Sequence, residues 1–139
     1  MSKAKLTSVQ IMARLAQHSG DGARRFTDVS KLAGVVYTNG FKDMCELCGG
    51  WWLFDIILSY QVRCRRDERL REYQFWTLNV EDGSGVVSCS YDDGEEAFRK
   101  DVEMTDFPLA EQRAWLVRGQ ALIDGVERSM MVAMLPTEY

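Results

Sequence analysis

The chain has 139 residues, 46% of them hydrophobic and 27% charged, a balance typical of one folded domain and not of a disordered protein. Its formal net charge of −4 argues against nonspecific binding to DNA or to a membrane surface, since both attract a basic excess. The first ten residues lack an apolar run, and the most apolar window, residues 51–60, contains Asp55 and Ser59. We therefore expect no secretory signal, no membrane span and a cytoplasmic location with reduced cysteines.

The N-terminal half carries helical patterns. Thr7 and Gln10 have the spacing of a capping box, which predicts a first helix followed by a turn-rich connector up to residue 25. Asn39 predicts the N-cap of a second helix, which the glycines at 49–50 should end. Residues 51–63 then predict a buried third helix.

From Tyr73 onward the hydrophobic period changes to two. The stretch YQFWTLNV (residues 73–80) predicts a strand with Tyr73 and Phe75 on one face and Gln74 and Trp76 on the other. Turns at EDGSG and DDGEE lead to two further predicted strands, VVSCSY and AFRKDVEMT. PLAEQRAWLV, which begins with Pro108, predicts a short helix, and RSMMVAML predicts a fourth strand.

These elements predict a single α+β domain spanning residues 1–139. Its N-terminal helices should pack on a three- to four-stranded antiparallel sheet with the connectivity of a meander.

Five short segments support a family resemblance: YTNG (37–40), GGWWLFDII (49–57), YQFWTLNV (73–80), TDFPL (105–109) and LPTEY (135–139). Their succession resembles an uncharacterised bacterial domain family of phages, plasmids and related mobile elements. That family's pattern reads Tyr-Thr-Asp-Gly, Gly-Gly-x-Tyr-Trp-Leu-x-Asp, Trp-Thr-Leu, Asp-Phe-Pro and Leu-Pro-x-Glu-Tyr. The resemblance covers residues 26–139 and implies one compact domain, but no activity and no catalytic residues.

The chain departs from this pattern in two places. Cys45 and Cys48 stand where the pattern has no thiol. Residues 113–130 form a longer join between DFP and LP than the pattern has. The longer join is a candidate for a specialised surface.

The pattern of the cysteines favours buried structural thiols over metal-binding or redox-active ones. Cys45 and Cys48 form one Cys-x-x-Cys pair, whereas Cys64 and Cys89 are separate. A structural zinc site usually needs a second close pair of ligands, and the carboxylates beside Cys45 disfavour a reactive thiolate. We predict buried free thiols, no metal and no cofactor, with metal binding by these four cysteines as the alternative.

Catalytic patterns are equally sparse. The single histidine, His18, lies in a helix whose pattern is structural, and DGSGVV lacks the lysine and the following helix of a phosphate loop. Without a base beside a nucleophile, no catalytic residue is predicted and the protein is not expected to be an enzyme.

Two charged segments and one tryptophan are candidates for partner binding. The arginine-rich segment and the acidic turn are each also typical of a solvated surface, and an exposed tryptophan is typical of a binding hot spot. The candidate residues are Trp51, Arg63, Arg65, Arg66, Arg69, Arg71, Asp92, Asp93, Glu95 and Glu96.

The leading hypothesis is a non-catalytic protein-interaction module encoded by a phage or other mobile element. It would bind a host protein or ribonucleoprotein complex and inhibit host defence or host machinery, as an anti-CRISPR protein does; this step is analogy. Direct nucleic-acid binding is not expected, and a homo-oligomer is compatible with the hypothesis. The alternative is a metal- or RNA-binding regulatory protein that uses the cysteines and the Arg63–Arg71 segment.

Overall fold

The structure is a computed structural model that describes residues 6–18, 25–26, 34–123 and 125–139. The helices are α1 (Ser8–Leu15), α2 (Asn39–Cys48), α3 (Trp51–Ser59), α4 (Gln61–Cys64) and the 3-10 helix η1 (Pro136–Glu138). The strands are β1 (Arg25–Phe26), β2 (Val35–Thr38), β3 (Tyr73–Glu81), β4 (Ser84–Ser90), β5 (Glu96–Val102), β6 (Glu111–Ile123) and β7 (Val126–Met134).

The described strands form one seven-stranded mixed sheet in the order β1-β2-β7-β6-β3-β4-β5. Strands β2 and β7 are parallel, and the other neighbours are antiparallel. The α+β class is confirmed, but the expected three- to four-stranded antiparallel sheet is wrong in size and in orientation. The helices are also not all N-terminal, since α2–α4 lie between β2 and β3. Strand β2 was not predicted, because its four residues are all buried and show no alternation of inward and outward side chains.

The predicted helix at PLAEQRAWLV is wrong, because most of this segment belongs to strand β6. The strand pairs with β3 on one side and with β7 on the other. Its side chains alternate: Ala114 and Leu116 lie in the main core, whereas Trp115 and Val117 pack on the opposite face. Pro108 therefore precedes a strand and does not open a helix.

The helix signals were more accurate. The capping box is confirmed, since Thr7 Oγ1 accepts from the backbone N–H of Gln10, and Gln10 Oε1 accepts from that of Thr7. Helix α2 ends at Gly49 in a left-handed conformation with φ of 62°, as glycine permits. Its N-cap is Thr38 and not Asn39, so the predicted start is wrong by one residue.

The main core lies between helices α1–α4 and one face of the sheet. Phe41, Ile57, Trp76 and Leu116 are among its fully buried residues. A smaller cluster of buried side chains, Val36, Val132 and Met134 among them, lies on the opposite face, which we call the outer face.

The chain end is held by one buried carboxylate. Glu138, only 4% exposed, accepts hydrogen bonds from Thr38 Oγ1 at 2.6 Å, Leu135 N at 2.9 Å and Gly40 N at 3.0 Å. It lies at the N-terminus of α2, where the helix dipole favours a negative charge. This arrangement, the Glu138 clasp, joins the YTNG segment to the LPTEY segment.

Candidate functional site

The predicted basic segment and the predicted acidic turn meet in the fold. Arg69 Nη2 donates to Asp92 Oδ1 at 2.7 Å and lies 3.3 Å from Asp93 Oδ2. The same guanidinium lies over the Tyr91 ring, 4.2 Å from its centroid. We call these residues, together with Asp67, the Arg69 cluster. The two segments therefore meet at Arg69, and a role for Arg69, Asp92 and Asp93 in partner binding stays a prediction.

A hydrogen bond joins two other members of the Arg69 cluster, Tyr91 and Asp67. Tyr91 Oη donates to Asp67 Oδ2 at 2.5 Å, and Asp67 Oδ1 accepts from the backbone N–H groups of Arg69 and Leu70. The hydrogen bond from Tyr91 is the main cause that lowers the pKa of Asp67, and the same bond raises the pKa of Tyr91.

Replacing Tyr91 with phenylalanine is expected to lower the free energy of unfolding only within a window of pH. Asp67 has a lowered pKa, so its contribution exists above its unfolded value of about 4 and is lost as pH falls through the folded pKa. Tyr91 has a raised pKa, so its contribution exists below about pH 10 and is lost as pH rises further. Urea denaturation of both proteins at about pH 3, 7 and 10.5 should show the largest difference at pH 7; a difference independent of pH would contradict this assignment.

The other predicted charged residues lie outside this cluster. Arg63 lies over the Tyr60 ring at 5.4 Å, and Glu96 lies 3.9 Å from Arg99. The backbone carbonyl of Arg71 accepts from Arg118 Nε at 3.0 Å. Arg65, Arg66 and Glu95 have exposed side chains. A role for any of them in partner binding stays a prediction.

Trp51 is only partly exposed. Its ring makes edge-to-face contacts with Tyr37 at 5.4 Å and Phe54 at 6.1 Å, and it packs against the main core. Whether its exposed part binds a partner stays a prediction.

All four cysteines are buried free thiols. Burial is the main cause that raises the pKa of each, to about 11 for Cys48 and about 12 for Cys64. These thiols therefore stay protonated near neutral pH, whereas nucleophilic attack needs the thiolate. Within the described residues, no three His, Cys, Asp or Glu side chains are placed to hold a metal ion.

A row of four aromatic rings, two exposed and two half-buried, crosses the outer face. Phe75 on β3 is opposite Trp115 on β6, with ring centroids 5.2 Å apart at 81°. Tyr73 lies beside Phe75 with nearly parallel rings at 6.4 Å, and Tyr139 contacts Trp115 at 5.6 Å. Tyr73 is 42% exposed and Tyr139 67% exposed. We call these four residues the aromatic row.

Polar side chains lie on the next rung of the outer face. Thr77 is opposite Ser88 on one side and Arg113 on the other, and Ser88 is in turn opposite Arg99. Arg113 Nε donates to Glu111 Oε1 at 2.6 Å, and Arg99 lies near Glu96. Arg99 and Arg113 are therefore each paired with a glutamate.

The sequence predicted only part of the aromatic row. It placed Tyr73 and Phe75 on one face of a strand, which is confirmed, but it did not name them as candidates. Trp115 was missed because its segment was interpreted as a helix. Residues 114–117 are all apolar and show no alternation of polar and apolar residues, so the segment carried no period-two signal for a strand.

Residues 113–123 and 125–130 belong to a long β-hairpin made by strands β6 and β7. The register between β6 and β3 ends at Val117, whereas β6 continues in register with β7 to Ile123. Leu122 and Val126 near its tip are 72% and 52% exposed. The expected specialised surface is thus an extension of two strands, and its role stays a prediction.

Within the described part of the chain, no helix is long and apolar enough to cross a membrane.

A comparison with protein-family models places the chain. The model of a family of unknown function, DUF6876, matches residues 9–139. The chain belongs to this family. The resemblance to an uncharacterised domain family is thereby confirmed, and the match begins earlier than residue 26, so that the family domain includes most of α1. No curated protein and no solved structure matches the chain.

Proposed function

We propose that the protein is a non-catalytic interaction module that binds a protein partner through the aromatic row. The observation that carries the proposal is the row itself, four rings in mutual contact on the face opposite α1–α4. Tryptophan and tyrosine are enriched among the residues that dominate binding energy, because each combines a large apolar area with a polar tip.

The charges beside the row favour a protein over a nucleic acid. Nucleic-acid bases also stack on exposed rings, but the phosphate backbone needs an excess of lysine or arginine. Here Arg99 and Arg113 each lie beside a glutamate, and the whole chain carries a formal charge of −4. A protein surface requires no such basic excess.

Affinity purification with matched variants tests the proposal. Tagged wild-type protein should recover a stoichiometric partner. Tyr73→Ala and Tyr139→Ala should each weaken binding about 30-fold, the effect of losing a hot-spot side chain. Met104→Ala is the control, since it truncates an 87% exposed side chain outside the row, and should bind as wild type does.

Three results would count against the proposal. Both tyrosine variants could recover the partner as well as wild type does, which would place binding elsewhere. The bait could be recovered alone, which would contradict an interaction module. Recovery that nuclease treatment abolishes would favour the RNA-binding alternative. Circular dichroism of every variant must first show an unchanged fold.

In its narrower form, the proposal is that a phage or other mobile element encodes the protein, which acts in the host cytoplasm as an inhibitor of host defence or host machinery. This form is supported by the family resemblance and by analogy with small phage-borne inhibitors. Phage plating and CRISPR interference assays test it: wild-type protein should weaken interference and Tyr139→Ala should not. Unchanged interference by wild type would contradict an anti-CRISPR role and leave the binding proposal standing.

A further inference from the structure

We infer that the partner presents a basic segment, whose lysine or arginine side chain enters a cavity at the Tyr73 end of the aromatic row. The inference rests on the proposed function, and it names the kind of partner that this surface fits.

The cavity lies where the aromatic row meets the Arg69 cluster. It has a volume of about 270 Å³ and is lined by Glu68, Arg69, Glu72, Tyr73 and Asp92. Tyr73 is shared by the cavity and by the row, so one extended segment can contact both.

The charge of the cavity is negative. Three carboxylates and one guanidinium line it, and Arg69 is compensated by Asp92 and by Asp93 outside the lining. Among the described residues, no ion pair neutralises Glu68 or Glu72. These two carboxylates are therefore available to a cation from a partner.

The chemistry of the walls suits a long basic side chain. The ammonium or guanidinium group of such a side chain can pair electrostatically with Glu68 and Glu72, while the methylene groups of the side chain lie along the Tyr73 ring. The neighbouring residues of the same segment would then reach Phe75 and Trp115. Charge complementarity of this kind mainly sets partner choice and the rate of association.

A peptide-binding measurement tests the inference without the natural partner. The probes are a fluorescein-labelled Lys-Leu-Lys-Leu-Lys-Leu-Lys peptide, the same peptide with glutamate in place of lysine, and a single-stranded RNA of about ten nucleotides. Fluorescence anisotropy should show binding of the lysine peptide alone, weakened between about 10 mM and 500 mM salt. The double variant Glu68→Gln with Glu72→Gln should weaken that binding about fivefold.

A matched variant controls for net charge. Glu81→Gln with Glu103→Gln removes two exposed carboxylates near the opposite end of β3 and β5, and should change the affinity less than twofold. Equal effects of the two double variants, no binding of the lysine peptide, or tighter binding of the acidic peptide or the RNA would each overturn the inference.

The two proposals fail separately. If Tyr139→Ala abolishes recovery of the natural partner while the Glu68 and Glu72 variant retains it, the proposed function stands and the basic partner is wrong. If the tyrosine variants have no effect on recovery, the proposed function itself fails.

Discussion

Replacing Glu138 with alanine should lower the free energy of unfolding by about 3 kcal/mol or more, because three buried donors lose a charged acceptor. The substitution would leave Thr38 Oγ1 and the N–H groups of Gly40 and Leu135 without the acceptor they now have. Each buried donor that loses its partner costs about 1–3 kcal/mol. Urea denaturation at neutral pH measures the change.

Two companion variants sharpen that test. Gly40→Ala should destabilise similarly, because an added Cβ would overlap the Glu138 carboxylate. Glu127→Ala, at an exposed glutamate in β7, should change stability by less than about 0.5 kcal/mol. A Glu138→Ala protein as stable as Glu127→Ala would show that the clasp contributes little to folding.

Replacing Gln74 with leucine should lower the free energy of unfolding by about 3 kcal/mol, since several buried polar groups lose a partner. Gln61 and Gln74 are buried and exchange two amide hydrogen bonds of 2.9 Å. Gln74 Oε1 also accepts from Trp76 Nε1 at 2.9 Å, and Gln74 Nε2 donates to the carbonyl of Leu70. The substitution breaks all four bonds.

A double variant separates the pair from its surroundings. Gln61→Leu with Gln74→Leu should cost less than the sum of the two single variants, because the double replacement leaves neither amide facing an apolar partner. Unfolding measured by denaturant for the four proteins gives the interaction energy. Strict additivity would contradict the coupled network.

Local patterns predicted the parts of the fold that depend on neighbouring residues. The alternation from Tyr73 to Val80 identified β3 and its two faces, and Gly49 identified the end of α2. These signals succeed because the period of a strand and the cap of a helix depend on residues that are close in sequence.

Pairings between distant segments could not be predicted in this way. Strand β2 is recognisable only beside β7, and β6 only between β3 and β7. The aromatic row needs both the β3–β6 register and the position of Tyr139, so no single segment contains it. The same holds for Arg69 and Asp92, whose opposite charges were visible but whose contact depends on the fold.

The most direct test of the central claim is the dissociation constant of the recovered partner. Isothermal titration measures it for wild type and for the double variant that carries both Tyr73→Ala and Tyr139→Ala. If the aromatic row is the binding surface, the double variant should bind at least 30-fold more weakly than wild type does, while Met104→Ala binds equally well. Equal dissociation constants for wild type and a folded double variant would contradict the claim.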